Sequence, residues 1–193
     1  MLSGATQTRL PRLVEPGPTR VAGRGVELST ELFEGLKQLA RRAGVPLKSV
    51  MLAAHLRVLS LLSGSDDVLT GVVSHGRTET KDSERVLGLF LNTLPFRQKL
   101  SGGTWLELVQ QTFAAEREAL PFRRYPLARM QQDIGIDAPL FETIFNYTHF
   151  HVHNEMQNVG GVEVLGHHSV ADTNFMFGVD FSLDLEGSGI TME

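Results

Sequence analysis

Gly88-Leu89-Phe90-Leu91-Asn92-Thr93-Leu94-Pro95-Phe96-Arg97 follows a charged loop and precedes a Gly-Gly turn. Its apolar and aromatic content predicts a buried strand. Side chains alternate across a strand, so Phe90, Asn92, Leu94 and Phe96 share one face. An amide therefore stands in a row of large apolar groups. Buried there without partners, it would cost about 1–3 kcal/mol. Two readings follow: a satisfied amide that fixes strand register, or an amide facing a cavity. Pro95 brings no N–H, which places this part of the strand at a sheet edge or a bulge.

The flanking elements follow from periodicity and caps. Upstream, Asp67 to Ser74 reads as a strand, with Gly71 permitting close backbone approach. Thr78 to Arg85 is a charged loop. Downstream, Thr104 and Glu107 form a capping box that opens a helix reaching about Leu120, with Leu106, Val109 and Phe113 on its core stripe. Pro121 ends it, and Pro126 starts a short helix through Gln132. Nearer the N-terminus, Val21 to Leu28 is a short strand. Ser29 or Thr30 caps a helix that stops at Gly44, with Leu32, Leu36, Leu39 and Ala43 as its apolar stripe. A second helix runs from Pro46 to about Leu62. It is apolar around most of its circumference and should lie deep, with His55 as a packed core histidine. The last third is strand-like: Phe141 to Tyr147, Val162 to Gly166, and Phe175 to Leu185, whose period-two alternation is the clearest in the chain. Residues 1–20 lack periodicity and read as a linker or arm, leaving 21–193 as one domain. The class is α/β (α+β), a mixed sheet covered by helices.

Composition narrows the function. The chain has 193 residues, enough for one domain with a sizeable core. Hydrophobic residues are 41% and charged residues 21%, the balance of a globular protein rather than a disordered one. A net charge of -4, with no basic run interleaved with aromatics, argues against nucleic acid. With no cysteine, disulfide and thiolate chemistry are excluded. No signal peptide is visible, and Leu47 to Leu62 is too short to span a membrane. A cytoplasmic protein is expected.

Three constellations could carry chemistry. His149, His151 and His153 would point one way along a strand and could hold a transition metal, but no carboxylate stands at a convincing spacing, so no metal is expected. His167-His168-x-x-x-Asp172 could place an imidazole base beside an orienting carboxylate. The third is a series of short stretches: Gly71 to Arg77, Leu87 to Arg97, and Pro139 to Tyr147.

These stretches, in this order, resemble successive motifs of the condensation domains of nonribosomal peptide synthetases. The resemblance runs from about residue 20 to the end, and Gly88-x-Phe90-x-Asn92-Thr93-x-x-x-Arg97 is its most specific part. It implies a chloramphenicol acetyltransferase-like half-domain. Such domains have two similar halves, and the catalytic HHxxxDG ends the first. The motifs matched here belong to the second half. The resemblance therefore implies a C-terminal subdomain with no catalytic residue of its own, and it makes His168 and Asp172 a coincidence. Where the family carries a His-Gln-Asp-x-Pro-Phe run, this chain has Phe122 to Leu127. Where the family has an arginine before Pro-Leu-Phe, it has Ile136, Asp137 and Ala138. By resemblance, Asn92 and Thr93 would line the substrate tunnel. Gly76, Arg77, Arg97, Asn146 and Tyr147 would be structural. The partners would be the N-terminal half of the domain and peptidyl or aminoacyl carrier proteins. Their phosphopantetheine arms would bring the substrates, with no cofactor in this chain. A half cut from its mate should expose surface and form a homodimer when isolated, with the arm and the Phe-rich strand 175–185 as the candidate faces. The competing reading is a self-sufficient CoA- or carrier-dependent acyltransferase that uses His168 and Asp172.

Overall fold

A computed structural model describes residues 7–12, 22–149, 174–183 and 189–193. Strand β1 (Val26–Glu27) leads into α1 (Thr30–Ala43) and α2 (Leu47–Ser63). The hairpin β2 (Asp67–His75) and β3 (Leu91–Lys99) follows, then α3 (Trp105–Ala119) and α4 (Leu127–Ile134). Strands β4 (Thr143–His149), β5 (Phe177–Leu183) and β6 (Ile190–Met192) complete a six-stranded sheet in the order β1-β6-β5-β4-β2-β3. β2 pairs antiparallel with β3 and parallel with β4, and β4 pairs parallel with β5, so the sheet is mixed.

The local signals explain the helix ends. The Ser29 side chain accepts from the Leu32 amide, and Gly44 closes α1 in the left-handed region. Thr104 and Glu107 form the expected reciprocal capping box on α3, and those bonds hold the Glu107 carboxyl below its usual range. Of the expected α1 stripe, Ala43 is buried and Leu36 and Leu39 pack against the core, while Leu32 is 52% exposed and the adjacent Phe33 is buried in its place. Leu32 and Phe33 both fit the helical period; the Phe33 ring packs with Leu52, Leu56 and the sheet residues.

One face of the sheet is packed by α1, α2 and α3. Val68 and Val72 of β2, Phe96 of β3, Phe145 of β4, Phe181 of β5 and Ile190 of β6 form one cluster with Phe33, Leu52, Leu56 and Leu59. Ala40, Ala43, Val50, Ala53 and Val109 close the three helices on one another. A smaller cluster lies on the opposite face: Leu69, Leu140 and Phe141, with Leu127 and Phe175 against it.

β3 is the outer strand of the hairpin, as Pro95 required. The Gly76 amide donates to the Phe90 carbonyl and the Leu100 amide to Asp66, so even-numbered residues of β3 turn their backbone groups toward β2. Pro95 faces the other way, and its missing N–H costs no sheet hydrogen bond. The strand starts at Leu91 rather than Gly88, and β4 and β5 start at Thr143 and Phe177, two residues later than expected. The strand expected over 21–28 shrinks to Val26–Glu27. The Phe-rich strand is not an uncovered element: β5 lies between β4 and β6, with Phe181 in the core. Part of the arm is also docked. Thr8 is buried and accepts the Leu69 amide at 2.7 Å, while Arg12 pairs with Glu142 at 2.9 Å. The strand expected over 162–166 lies outside the described residues.

His55 occupies the core as expected. Its Nε2 is 3.3 Å from Thr70 Oγ1, which donates to the Thr143 carbonyl at 3.1 Å and accepts from Thr143 Oγ1 at 2.7 Å. The Thr70 proton is thus committed, so His55 must donate, as the neutral Nε2–H tautomer. Burial lowers its pKa from 6.5 to about 4. The unfolded chain therefore takes up this proton first. Stability from His55 is complete above pH 6.5 and is lost as pH falls toward about 4. At 1.36 kcal/mol per unit this is on the order of 3 kcal/mol. Urea unfolding between about pH 7 and pH 4.5 should show that loss, and His55→Leu should remove it. An unchanged pH slope in the variant would assign the acid sensitivity elsewhere.

Candidate functional site

Gly76, Arg77 and Asn92 gather at the loop end of the β2–β3 hairpin, while Arg97 lies at its other end and Asn146 and Tyr147 on β4. The Gly76 amide bonds to Phe90 O at 2.6 Å, and its carbonyl accepts from Arg124 Nε at 2.9 Å. A Cβ at Gly76 would crowd Arg124 Cγ at 3.3 Å, so this residue type allows the contact. Arg77 donates from Nη1 to the carbonyls of Ser83 and Val86, both at 2.7 Å, and its guanidinium lies 4.3 Å from the Phe90 ring centre. The loop between the strands is thereby folded on itself.

Asn92 shows where its amide goes. Nδ2 donates to the carbonyls of Arg123 at 3.0 Å and Tyr125 at 2.8 Å. The amide holds the turn between α3 and α4. Tyr125 in turn hydrogen-bonds Asp133 of α4, and Arg123 pairs with Glu79 at 2.6 Å. Neighbouring residues of a strand face opposite ways, so Asn92 and Thr93 do not share a face. Asn92 is on the side of the three helices, and Thr93, half-buried, is on the other.

On that second face, over β4 and β5, lies a polar row. Asn146 Nδ2 donates to Asp180 Oδ2 at 2.6 Å and to Thr148 Oγ1 at 3.2 Å, and Ser182 Oγ donates to Asp180 Oδ1 at 3.2 Å. Asn146 and Asp180 are direct cross-strand partners. All four side chains are half-buried. Tyr147 points to the helix side, where burial raises its pKa. Arg97 is an anchor: Nε and Nη2 grip the two Asp67 oxygens at 2.8 and 2.6 Å. That bond holds the Asp67 carboxyl below its usual value and the guanidinium above its own.

Chemically, the polar row can accept and donate hydrogen bonds and present a carboxylate. His55 is sealed in the core and is no base for an outside substrate. The side chain of His149, at the end of β4, and residues His151, His153, His167, His168 and Asp172 lie outside the described residues. Among the described residues, no group of three or more His, Cys, Asp or Glu could hold a metal. Asp180 and Ser182 were not singled out from sequence, though their alternation with Val179 and Phe181 marked them as one face. Arg123 and Arg124 carried no signal of their own.

Replacing Asn92 by Leu strips two carbonyls of their donor and should cost about 1–3 kcal/mol in denaturant unfolding. A variant as stable as wild type would mean that water replaces the amide at no cost.

Comparison with known proteins agrees with this architecture. The Condensation domain family model matches residues 3–193. AMB antimetabolite synthetase AmbE of Pseudomonas aeruginosa is 42% identical over 153 residues, 78% of this chain and 7% of that protein. Surfactin synthase subunit 1 of Bacillus subtilis is 31% identical over 170 residues, 83% of this chain and 4% of that protein. The chain thus spans a small fraction of these relatives. Among solved structures, the condensation domain of the Monacolin K polyketide synthase MokA superposes with a TM-score of 0.77 at 20% identity, covering 98% of this chain and 47% of that one. The X-domain from teicoplanin biosynthesis gives 0.74 at 20% identity, covering 96% and 44%. The fold, the hairpin motifs and the match over nearly the whole sequence agree: the chain belongs to the condensation-domain family.

Proposed function

We propose that this chain is the C-terminal subdomain of a nonribosomal peptide synthetase condensation domain. The whole domain would join an amine on one carrier-tethered phosphopantetheine arm to an acyl group on another. The amine nitrogen attacks the thioester carbonyl, the C–N bond forms, the C–S bond breaks, and the arm leaves as a thiol. The amine's proton would pass to a base in the other half, where the HHxxxDG motif is expected. This subdomain would wall the substrate tunnel and offer carrier-protein docking, in the cytoplasm. Among the described residues, no single helix is long and apolar enough to cross a membrane.

The observation that carries this reading is the polar row Asn146–Asp180–Ser182 at the middle of a sheet whose other face is packed with apolar side chains. A half-buried, hydrogen-bonded face fits the wall of a wet channel better than the seat of a packed helix. Thr93 would line that wall. Asn92 would act beside it, by holding the 123–125 turn that closes the hairpin end.

The test uses carrier-bound thioester donor and aminoacyl acceptor, with product read by mass spectrometry. The chain alone should form no amide. Joined to an N-terminal half carrying HHxxxDG, it should. Turnover by the chain alone that His168→Ala abolishes would overturn the proposal and restore the self-sufficient acyltransferase.

A further inference from the structure

Asp180 is a half-buried carboxylate that no cation neutralises among the described residues. Every lysine and arginine except Arg20 belongs to those residues, and none pairs with it. Its neighbour on the β6 side, Glu193, exchanges backbone hydrogen bonds with it at 2.8 and 2.9 Å and brings no positive charge. Neutral donors hold it instead, one on each oxygen: Asn146 at 2.6 Å and Ser182 at 3.2 Å.

These bonds use up the donors of the row. Both amide hydrogens of Asn146 are committed, one to Asp180 and one to Thr148 Oγ1, and so is the Ser182 hydroxyl proton. What remains is lone pairs on the Asp180 oxygens, on Asn146 Oδ1 and on Ser182 Oγ, with the Thr148 hydroxyl as the one donor left in the row. That surface suits a positively charged ligand rich in N–H groups. It suits a thioester carbonyl poorly, because a carbonyl needs a donor. The row is also open at one end. Gly178 stands two residues before Asp180 and on the same face. It is exposed, and with no side chain it leaves the flank of the carboxylate clear; a Cβ there would meet Ile144 Cγ2 at 3.2 Å.

We infer that Asp180 receives the ammonium of the aminoacyl acceptor, so that the second face selects an amine as the incoming group. This rests on the tunnel reading of that face and adds which reactant it recognises. Of the two arms in the proposed reaction, only the acceptor carries a cation at its reacting atom. The ammonium gives one proton to the base of the other half before its nitrogen attacks. Asp180 keeps the nitrogen placed and makes no bond to carbon. A charge-assisted hydrogen bond is about twice as strong as a neutral one, so a single carboxylate can discriminate.

The experiment uses the whole domain as one polypeptide, this chain following an N-terminal half that carries HHxxxDG. It is given a carrier-bound acyl donor and a panel of aminoacyl pantetheines as acceptors. For the best acceptor, the hydroxyacyl pantetheine with the same side chain serves as an inhibitor, with a neutral hydroxyl in place of the ammonium. Asp180→Asn keeps the shape and removes the charge. It should raise the acceptor KM roughly tenfold or more with little change in kcat, and leave the inhibition constant of the hydroxyacyl analogue as in wild type. An unchanged KM would overturn the inference while the condensation reading stands. Equal weakening of acceptor and analogue would make Asp180 a structural residue and overturn it too. If the variant does not fold, wild type decides: the amine should bind roughly tenfold tighter than the hydroxyl analogue, and equal binding overturns the inference. No amide from any pair in wild type would overturn the proposed function and this inference with it.

Discussion

The close approach of Phe141 to Gly71 sets the geometry of the sheet. Gly71 pairs with Pro95 of β3 on one side and Ile144 of β4 on the other, at the joint between the hairpin and the rest of the sheet. The Phe141 ring occupies the space a Cβ at Gly71 would need. With that ring on the backbone of β2, Leu69, Leu140 and Phe141 seal the second face there, and the chain from α4 can return to start β4 beside β2. The joint is short, with two paired positions, and the buried Thr70–Thr143 hydroxyl bonds reinforce it from the other face.

From this joint the two faces diverge in character. The helix side is a continuous apolar core in which the polar groups of His55, Thr70 and Thr143 satisfy one another. The second side is apolar near β2 and polar over β4 and β5, where Asn146, Thr148, Asp180 and Ser182 bond among themselves while remaining reachable. A packed face supports rigidity; a half-buried polar one leaves hydrogen-bonding groups within reach of solvent. The hairpin end joins the two, since Asn92 on the helix side and Thr93 on the other are adjacent in sequence.

Much of this was legible in the sequence because it depends on local chemistry. The Ser29 and Thr104 caps, the Gly44 stop, the edge position of Pro95 and the core placement of His55 each follow from what one residue type can do. One position of the α1 stripe was misplaced because Leu32 and Phe33 both fit a 3.6-residue period, and only packing against α2 and the sheet chooses between them. The partners of Asn92 lie 31 and 33 residues away, and Thr8 meets Leu69 at a separation of 61. Contacts of that range leave no local pattern. Asn92 and Thr93 were paired by motif resemblance, which is blind to strand alternation.

On the function proposed above, the second face, and not the helix face, would meet the carrier-borne substrate. A photo-crosslinking amino acid placed at Thr93, in the assembled domain, should capture a pantetheine-linked acyl thioester, and the same group at Leu61 on the outer side of α2 should not. Equal capture at both positions, or capture at Leu61 alone, would contradict the claim.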